Sequence, residues 1–240
     1  MKDIIRTNFD ESPDAYDEYE RQTGRFAALT DRLYESMSTR IEGTDPPETV
    51  LDAGAGTGIS SRRLASNGAT PIALDISRAM LEMNPIADRI QGDFDRLPLE
   101  TDSVDAVAFT ASLFLSPDPA RATREARRVL RPGGSVGAVA PLGWMTADGE
   151  DVFASLARNS RSPTSAEALE AALRKSFEVE SGVWTFETTA DALRTFHRVP
   201  AMAARLYPRL DSEERIERAG RLLSEVDGPL EQRWRWFVGV

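Results

Sequence analysis

Short apolar runs and helix-like stretches alternate through the middle of the chain. The apolar runs lie at 49–54, 71–76, 89–93, 103–112 and 135–141. Three segments between them, 58–67, 77–84 and 120–130, carry apolar side chains at helical spacing. Strands that alternate with helices predict a parallel sheet that helices cover on both faces.

The segments before and after this block have a different pattern. Residues 13–42 have the pattern of one or two helices, and residues 150–175 also look helical, with a break at Ser162-Pro163. The stretches 177–188 and 230–240 alternate like strands, while two or three helices are predicted between them, over 189–226.

These patterns predict one domain, because no internal repeat or long linker interrupts the 240 residues. We expect an N-terminal helical cover at 1–45, a ligand-binding core at 46–141, and the remaining strands with a helical lid at 142–240.

The composition excludes or disfavours several kinds of partner and site. The chain has 41% hydrophobic residues, 29 basic and 39 acidic side chains and a net charge of −10. That charge disfavours nucleic acid and anionic membrane as partners. The absence of cysteine excludes disulfides and thiolate metal sites, and no segment approaches the ~20 apolar residues of a membrane span. We expect a cytoplasmic protein with no resident metal.

The first strand ends in an unusual turn, VLDAGAGTG, from Val50 to Gly58. Glycines at alternate positions let the backbone approach a ligand without interference from a Cβ atom. The helix that follows presents unpaired N–H groups to the same space. The turn therefore predicts a small-molecule cradle, and the alternative is a tight strand–helix connection without a ligand.

The residues around the glycines indicate an adenosine-type ligand. No lysine follows them, as a P-loop requires, and the third glycine of a dinucleotide fingerprint would fall on Ile59. Asp75 stands where a ribose-binding carboxylate is expected. Asp52, just before the first glycine, would be unfavourable beside a pyrophosphate but favourable beside an ammonium or sulfonium.

Four segments in order resemble the class I S-adenosylmethionine-dependent methyltransferases. They are VLDAGAGTG, ALDIS (73–77), GDFDRLPLETDSVDAV (92–107) and REARRVLRPGG (124–134). The helical segment YDEYERQTGRF resembles the small-molecule branch that includes ubiquinone- and biotin-pathway enzymes. The resemblance implies an α/β fold, a Rossmann-like doubly wound, mostly parallel sheet of seven strands in the order 3-2-1-4-5-7-6, with the last strand antiparallel.

The resemblance also implies S-adenosylmethionine as cofactor and assigns roles to residues. The backbone of Ala53, Gly54 and Gly56 would pass the methionine part. Asp52 would bind the amino end, or else bond to the next helix as a cap.

Residues further along the chain would hold the rest of the cofactor. Asp75 would accept the ribose hydroxyls, or else serve as a turn residue. Ile76 would lie against the adenine, Asp93 would bind its amino group, and Phe94 would cover the ring or else be ordinary core. Thr110 would lie near the methionine amino group.

Two residues of the N-terminal cover complete the implied cofactor site. Arg21 would reach the cofactor's carboxylate, with a solvated helix charge as the alternative. Tyr16 would close over the site.

Methyl transfer from a sulfonium needs an aligned nucleophile and a dry site rather than a metal. His197, the one histidine, is the candidate base, with a helix-capping or buried structural histidine as the alternative. Leu113, Phe114 and Trp144 would form an apolar acceptor pocket, or else they serve only in packing.

Four arginines in the predicted lid indicate either an acidic substrate or a solvated face: Arg194, Arg198, Arg205 and Arg209. The sequence thus predicts methyl transfer to a small organic acceptor. An NAD(P)-dependent oxidoreductase and a cofactor-binding regulatory protein without activity are the alternatives. The oligomeric state and the acceptor stay open.

Overall fold

Seven strands form one mixed sheet in a computed structural model that describes residues 1–39, 46–156 and 162–240. The strand order is β3-β2-β1-β4-β5-β7-β6, and β7 is antiparallel to both of its neighbours. The predicted fold class, strand order and antiparallel last strand are therefore confirmed. The strands are β1 Thr49–Ala53, β2 Thr70–Asp75, β3 Arg89–Gln91, β4 Val104–Phe109, β5 Leu130–Thr146, β6 Val179–Thr189 and β7 Pro229–Gly239.

The strand order reverses at β1, which pairs in parallel with β2 on one side and β4 on the other. Asp52 lies opposite Ala73 of β2 and Ala108 of β4. The carboxyl ends of all three strands therefore meet at one edge of the sheet. In doubly wound folds this reversal opens a crevice for a ligand.

The central strands are apolar because helices cover both of their faces. Val50 and Leu51 of β1 and Val107 of β4 are fully buried. Their burial holds the crevice edge in a fixed position beneath the ligand-binding loops.

Strand β5 is longer than the sequence predicts. It runs past 141 to Thr146 and pairs with β7 as far as Leu230. A register shift between Pro141 and Gly143 absorbs both residues without ending the pairing. The extension carries Trp144 towards the helices of the lid.

The helices lie on both faces of the sheet and above its carboxyl edge. They are α1 Lys2–Asp10, α2 Pro13–Thr23, α3 Arg25–Thr39, α4 Ile59–Ser66, α5 Arg78–Met83, α6 Pro119–Val129, α7 Val152–Ser155, α8 Ala166–Leu173, α9 Ala190–Phe196, α10 Pro200–Leu206 and α11 Ser212–Leu223. None of these helices, in the described part of the chain, is long and apolar enough to cross a membrane.

Helix α1 is an element that the sequence analysis missed, since the helices of the N-terminal cover were predicted only from residue 13 onwards. Its apolar side chains are few, and none of its residues is fully buried. It packs against α5 and α10, and Ser12, which follows it, accepts a hydrogen bond from the Ala201 amide at 3.1 Å. The predicted cover over 13–42 comprises α2 and α3, and its last three positions lie outside the described residues.

Helix α3 packs closely on β5 at Gly137, where an added Cβ would come within 2.4 Å of Met37 Sδ and 3.0 Å of Leu33 Cδ1. Both side chains are buried and cannot move away. We expect Gly137→Ala to lower the free energy of unfolding by about 1–3 kcal/mol, since overpacked cores are strained.

Gly220→Ala is the matched control, because no atom lies within 4 Å of its added Cβ in helix α11. The same substitution there should raise the free energy of unfolding by up to ~1 kcal/mol. Urea denaturation of both variants measures the difference. Equal midpoints would contradict the close packing at Gly137.

Candidate active site

A cavity opens at the carboxyl edge of the sheet, between the strand ends and the N-terminal helices. Its floor includes Gly54, Gly56 and Asp75, and Tyr16 and Phe9 contribute to its cover. The empty space between the walls, the open mouth included, is about 870 Å³. The cavity therefore lies at the point where the strand order reverses.

The glycine turn has the backbone conformation that its sequence suggests. Gly54, Gly56 and Gly58 have φ angles of 84°, 53° and 89°, which side-chain-bearing residues rarely adopt. A Cβ on Gly54 would lie 2.4 Å from Ser112 Cβ, whereas a Cβ on Gly56 would meet no atom within 4 Å. The backbone at Gly56 is therefore open to a ligand.

Asp75 is fixed at the edge of this turn by two backbone amides. One carboxylate oxygen accepts from the Gly56 N–H at 2.9 Å and the other from the Ser77 N–H at 2.8 Å. Burial raises the pKa of Asp75 to about 6, although these amides act in the opposite direction. Asp75 lines the cavity, so its free lone pairs are available to hydroxyl groups.

Asp52 lies behind the turn and is fully buried. Its Oδ2 accepts hydrogen bonds at 2.6 Å from the hydroxyls of Ser60 and Ser61. Its Oδ1 has no partner among the described residues. Burial, and then the charge of Asp75, raises the pKa of Asp52 to about 6. Asp52 is not among the residues that line the cavity, so it acts on a ligand there through its charge.

Tyr16 lines the cavity from helix α2, as a residue closing over the site would. Its ring stacks on Phe26, with 4.7 Å between the centroids. Burial, followed by the charges of Glu20 and Asp75, raises the pKa of the Tyr16 phenol well above its ordinary value. The phenol is therefore a neutral donor at the cavity wall.

The far end of the cavity contains Ile76, Asp93 and Phe94. Phe94 packs edge-on against Phe109 at 5.4 Å. Asp93 forms an ion pair with Lys2 Nζ at 2.6 Å, and Lys2 also bonds to Asp95. Helix α1 thus places a cation on the carboxylate that the resemblance assigns to the adenine amino group.

Some predicted cofactor residues lie outside the cavity wall. The Arg21 side chain is 70% exposed and pairs with Glu18. Thr110 is buried, and its hydroxyl has no partner among the described residues. Ala53 is also buried, and its carbonyl accepts from the Ser112 hydroxyl at 2.5 Å.

The residues predicted to contact the acceptor lie in different parts of the structure. Phe114 lines the cavity, whereas Leu113 lies in the core with its side chain fully buried. Trp144 and His197 line a second cavity next to the first. The structure therefore places Phe114 in the first cavity and Trp144 and His197 in the second, whereas Leu113 lines neither.

His197 is buried in an aromatic environment. Its Nδ1 lies 3.0 Å from the Leu193 carbonyl oxygen, and the Phe153 ring lies 5.2 Å away. Burial, together with the charge of Arg205, lowers the pKa of His197 to about 4. The ring is neutral at pH 7, and a proton on Nδ1 leaves the lone pair on Nε2.

Lys2, Phe9 and Ser112 are among the wall residues that the sequence analysis missed. The two α1 residues gave no signal because they lie before the first predicted helix. Ser112 ended the fourth predicted strand, but only its close approach to Gly54 shows why a small residue stands there. Among the described residues, no group of three or more metal-ligating side chains occurs.

Comparisons with known proteins find similarity to methyltransferases over the core of the chain. Residues 51–137 match the family model described as "Methyltransferase domain". A demethylmenaquinone methyltransferase from Clavibacter sepedonicus is 36% identical over 139 residues, which is 55% of this chain and 56% of that protein. The chain thus spans about half the length of the curated relatives it matches.

Two solved structures share the fold. YcgJ from Bacillus subtilis superposes with a TM-score of 0.60 and 17% identity, covering 88% of this chain and 97% of that one. A phosphoethanolamine N-methyltransferase 2 from Haemonchus contortus, solved with S-adenosylhomocysteine, has a TM-score of 0.52 and 18% identity, covering 87% of this chain and 52% of that one. The match over residues 51–137 and the shared fold agree with the resemblance to class I S-adenosylmethionine-dependent methyltransferases that the four motifs indicate.

The residues present fit S-adenosylmethionine. The open backbone at Gly56 leaves room for the ligand, and Asp75 offers acceptors to a ribose. The unpartnered oxygen of Asp52 provides negative charge behind the turn. Two carboxylates suit a cation better than a pyrophosphate.

We expect cofactor affinity to rise with pH through the titration of Asp75. Its pKa of about 6 means that the carboxyl is about nine-tenths protonated at pH 5. Only the ionised form accepts from two ribose hydroxyls, so the Kd for S-adenosylhomocysteine should be about ten-fold lower at pH 7 than at pH 5. Calorimetry at the two pH values measures the change.

Asp75→Asn is the control for this pH dependence. The amide of this variant does not titrate. The ratio of the Kd at pH 5 to the Kd at pH 7 should therefore fall to the smaller value that the titration of Asp52 alone produces. An affinity of the unmodified protein that is the same at both pH values would contradict the role of ionised Asp75.

Proposed function

We propose that this protein transfers the methyl group of S-adenosylmethionine to a small organic acceptor. The observation that carries the proposal is the buried carboxylate of Asp75, held by the Gly56 and Ser77 amides at the open end of β2. The family assignment of residues 51–137 supports the same chemistry.

The bound cofactor would supply a methyl group already activated by its sulfonium. The chain's own contribution is to bind, orient and keep out water. Gly54 and Gly56 admit the methionine part, and Asp52 stabilises the cation through its charge. Asp75 and Ile76 hold the adenosine, with Asp93 and Phe94 at the adenine end. Tyr16 and its stacked partner Phe26 cover the site.

On the acceptor side, Phe114 would form the wall shared by the cofactor and the acceptor. Trp144 and His197 would face the acceptor from the second cavity. With Nδ1 bonded to Leu193, the Nε2 of His197 is the atom that could take a proton from an acceptor nucleophile. The relative from Clavibacter, named for demethylmenaquinone, supports a small aromatic acceptor.

A nicotinamide-dependent oxidoreductase fits the site less well. Its pyrophosphate would lie near both Asp52 and Asp75, whose burial already disfavours the charged forms. Ile59, at the position of the third fingerprint glycine, is the first residue of helix α4. A regulatory protein without activity would keep the cofactor site, so turnover is what separates it from an enzyme.

Asp75→Ala should weaken the binding of S-adenosylhomocysteine by about 1.5–3 kcal/mol, because it removes charge-assisted hydrogen bonds to the ribose. Glu225→Gln is the control, since it removes one negative charge from an exposed position. Calorimetry should give an unchanged Kd for that variant. An unchanged Kd for Asp75→Ala would remove Asp75 from the site.

Turnover is tested by incubating the protein with methyl-labelled cofactor and a small-molecule extract of its source cells. Mass spectrometry should find a labelled product that is absent with Asp75→Ala and present with Glu225→Gln. Cofactor binding without any labelled product, across extracts and defined acceptor classes, would favour the regulatory alternative.

A further inference from the structure

A second cavity lies beside the cofactor cavity and shares two wall residues with it, Phe196 and Arg205. Its other walls include Trp144 of β5, His197, which follows α9, and Gln232 of β7. The shared residues mark the place where the two spaces meet. A molecule in the second cavity would therefore lie next to whatever fills the first.

Arg205 is a half-buried cation without a counter-charge among the described residues. Its Nη2 donates to the Ser162 hydroxyl at 2.7 Å, and its Nη1 lies 4.0 Å from Met202 Sδ. Its Nε is buried and has no hydrogen-bond partner in the described part of the chain. No carboxylate among the described residues forms an ion pair with it. Burial lowers the pKa of Arg205 only to about 10, so the side chain stays charged at pH 7.

Removing an unpaired charge from water is strongly unfavourable unless a ligand of opposite charge pairs with it. The chain has 39 acidic side chains, and yet none of the described ones faces Arg205. A guanidinium presents a planar fork of donors that matches a carboxylate or phosphate. We therefore expect an anionic group of a ligand to pair with Arg205.

The other residues that line the second cavity indicate the kind of molecule that carries the anionic group. Trp144, Phe153 and Phe196 provide flat apolar surface in the second cavity. The Oε1 of Gln232 is buried without a donor among the described residues. A flat, apolar molecule with an acidic group and a hydroxyl or N–H donor matches these three features.

We propose that Arg205 binds the acidic group of the methyl acceptor, which makes the acceptor a small aromatic acid. The inference rests on the proposed methyl transfer and names its substrate class. Arg205 is then the residue that distinguishes acids from neutral analogues. Phe114, whose ring centroid lies 5.8 Å from Arg205 Cζ, separates this group from the glycine turn.

The test uses 4-hydroxybenzoate and its neutral amide, 4-hydroxybenzamide, as matched probes. Each is titrated by calorimetry into the full chain saturated with S-adenosylhomocysteine. We expect the acid to bind at least ten-fold more tightly than the amide. In Arg205→Met the two Kd values should become equal within two-fold, because the difference depends on the guanidinium.

Arg209→Met is the matched control, since it removes the same charge from an exposed position nearby. It should keep the preference for the acid. Arg205→Met should melt at or above the temperature of the unmodified protein without ligands, because an apolar side chain replaces an unpaired, half-buried charge. Should that variant fail to fold, Arg205→Gln repeats the measurement.

Three results would overturn the proposal. Equal affinities of the unmodified protein for acid and amide, or no binding of the acid up to ~20 mM, would exclude an acid site. A loss of S-adenosylhomocysteine affinity of ten-fold or more in Arg205→Met would assign the guanidinium to the cofactor's own carboxylate. If S-adenosylhomocysteine does not bind the unmodified protein at all, the proposed function fails first, and titration without it still reports on the acid.

Discussion

Two buried carboxylates at the ends of adjacent parallel strands are the constraint around which this molecule is organised. Asp52 and Asp75 lie at one edge because β1 and β2 pair in parallel register. Burial of both groups raises their pKa values to about 6. Serine hydroxyls and backbone amides compensate part of that cost. A cationic, hydroxyl-bearing ligand can offset the remaining cost of burying the two carboxylates. Their unfavourable burial therefore favours ligand binding.

The glycine turn makes this arrangement possible. A Cβ on Gly54 would clash with Ser112, and the left-handed backbone at Gly56 directs its amide to Asp75. The turn therefore positions the carboxylate and leaves the cavity open at the same time. Its conformational freedom would weaken an ordinary strand–helix connection, and here it serves ligand access.

The sheet and part of the wall of the candidate cavity could be predicted because their signals are local. Glycines after a strand, and an aspartate after the next strand, identify Gly54, Gly56 and Asp75 from the chain alone. Strand order followed from the resemblance of four ordered segments. The end of β5 could not be predicted, because the pairing with β7 overrides Pro141 and Gly143.

Residues that only tertiary packing brings to the cavities could not be predicted from the sequence. Lys2 reaches Asp93 from a helix with little apolar pattern, across 91 positions of the chain. Arg205 was one of several arginines in the lid, and its buried Nε without a partner among the described residues sets it apart. Arg21, on a predicted helix, faces solvent because the charged face of α2 points away from the cavity.

The most direct measurement is a crystal structure of the complex with S-adenosylhomocysteine. The account predicts that both ribose hydroxyls donate to the Asp75 carboxylate at hydrogen-bond distance, with the amino-acid part passing over Gly54 and Gly56. Ligand density elsewhere on the molecule, or a ribose held by other side chains, would contradict it.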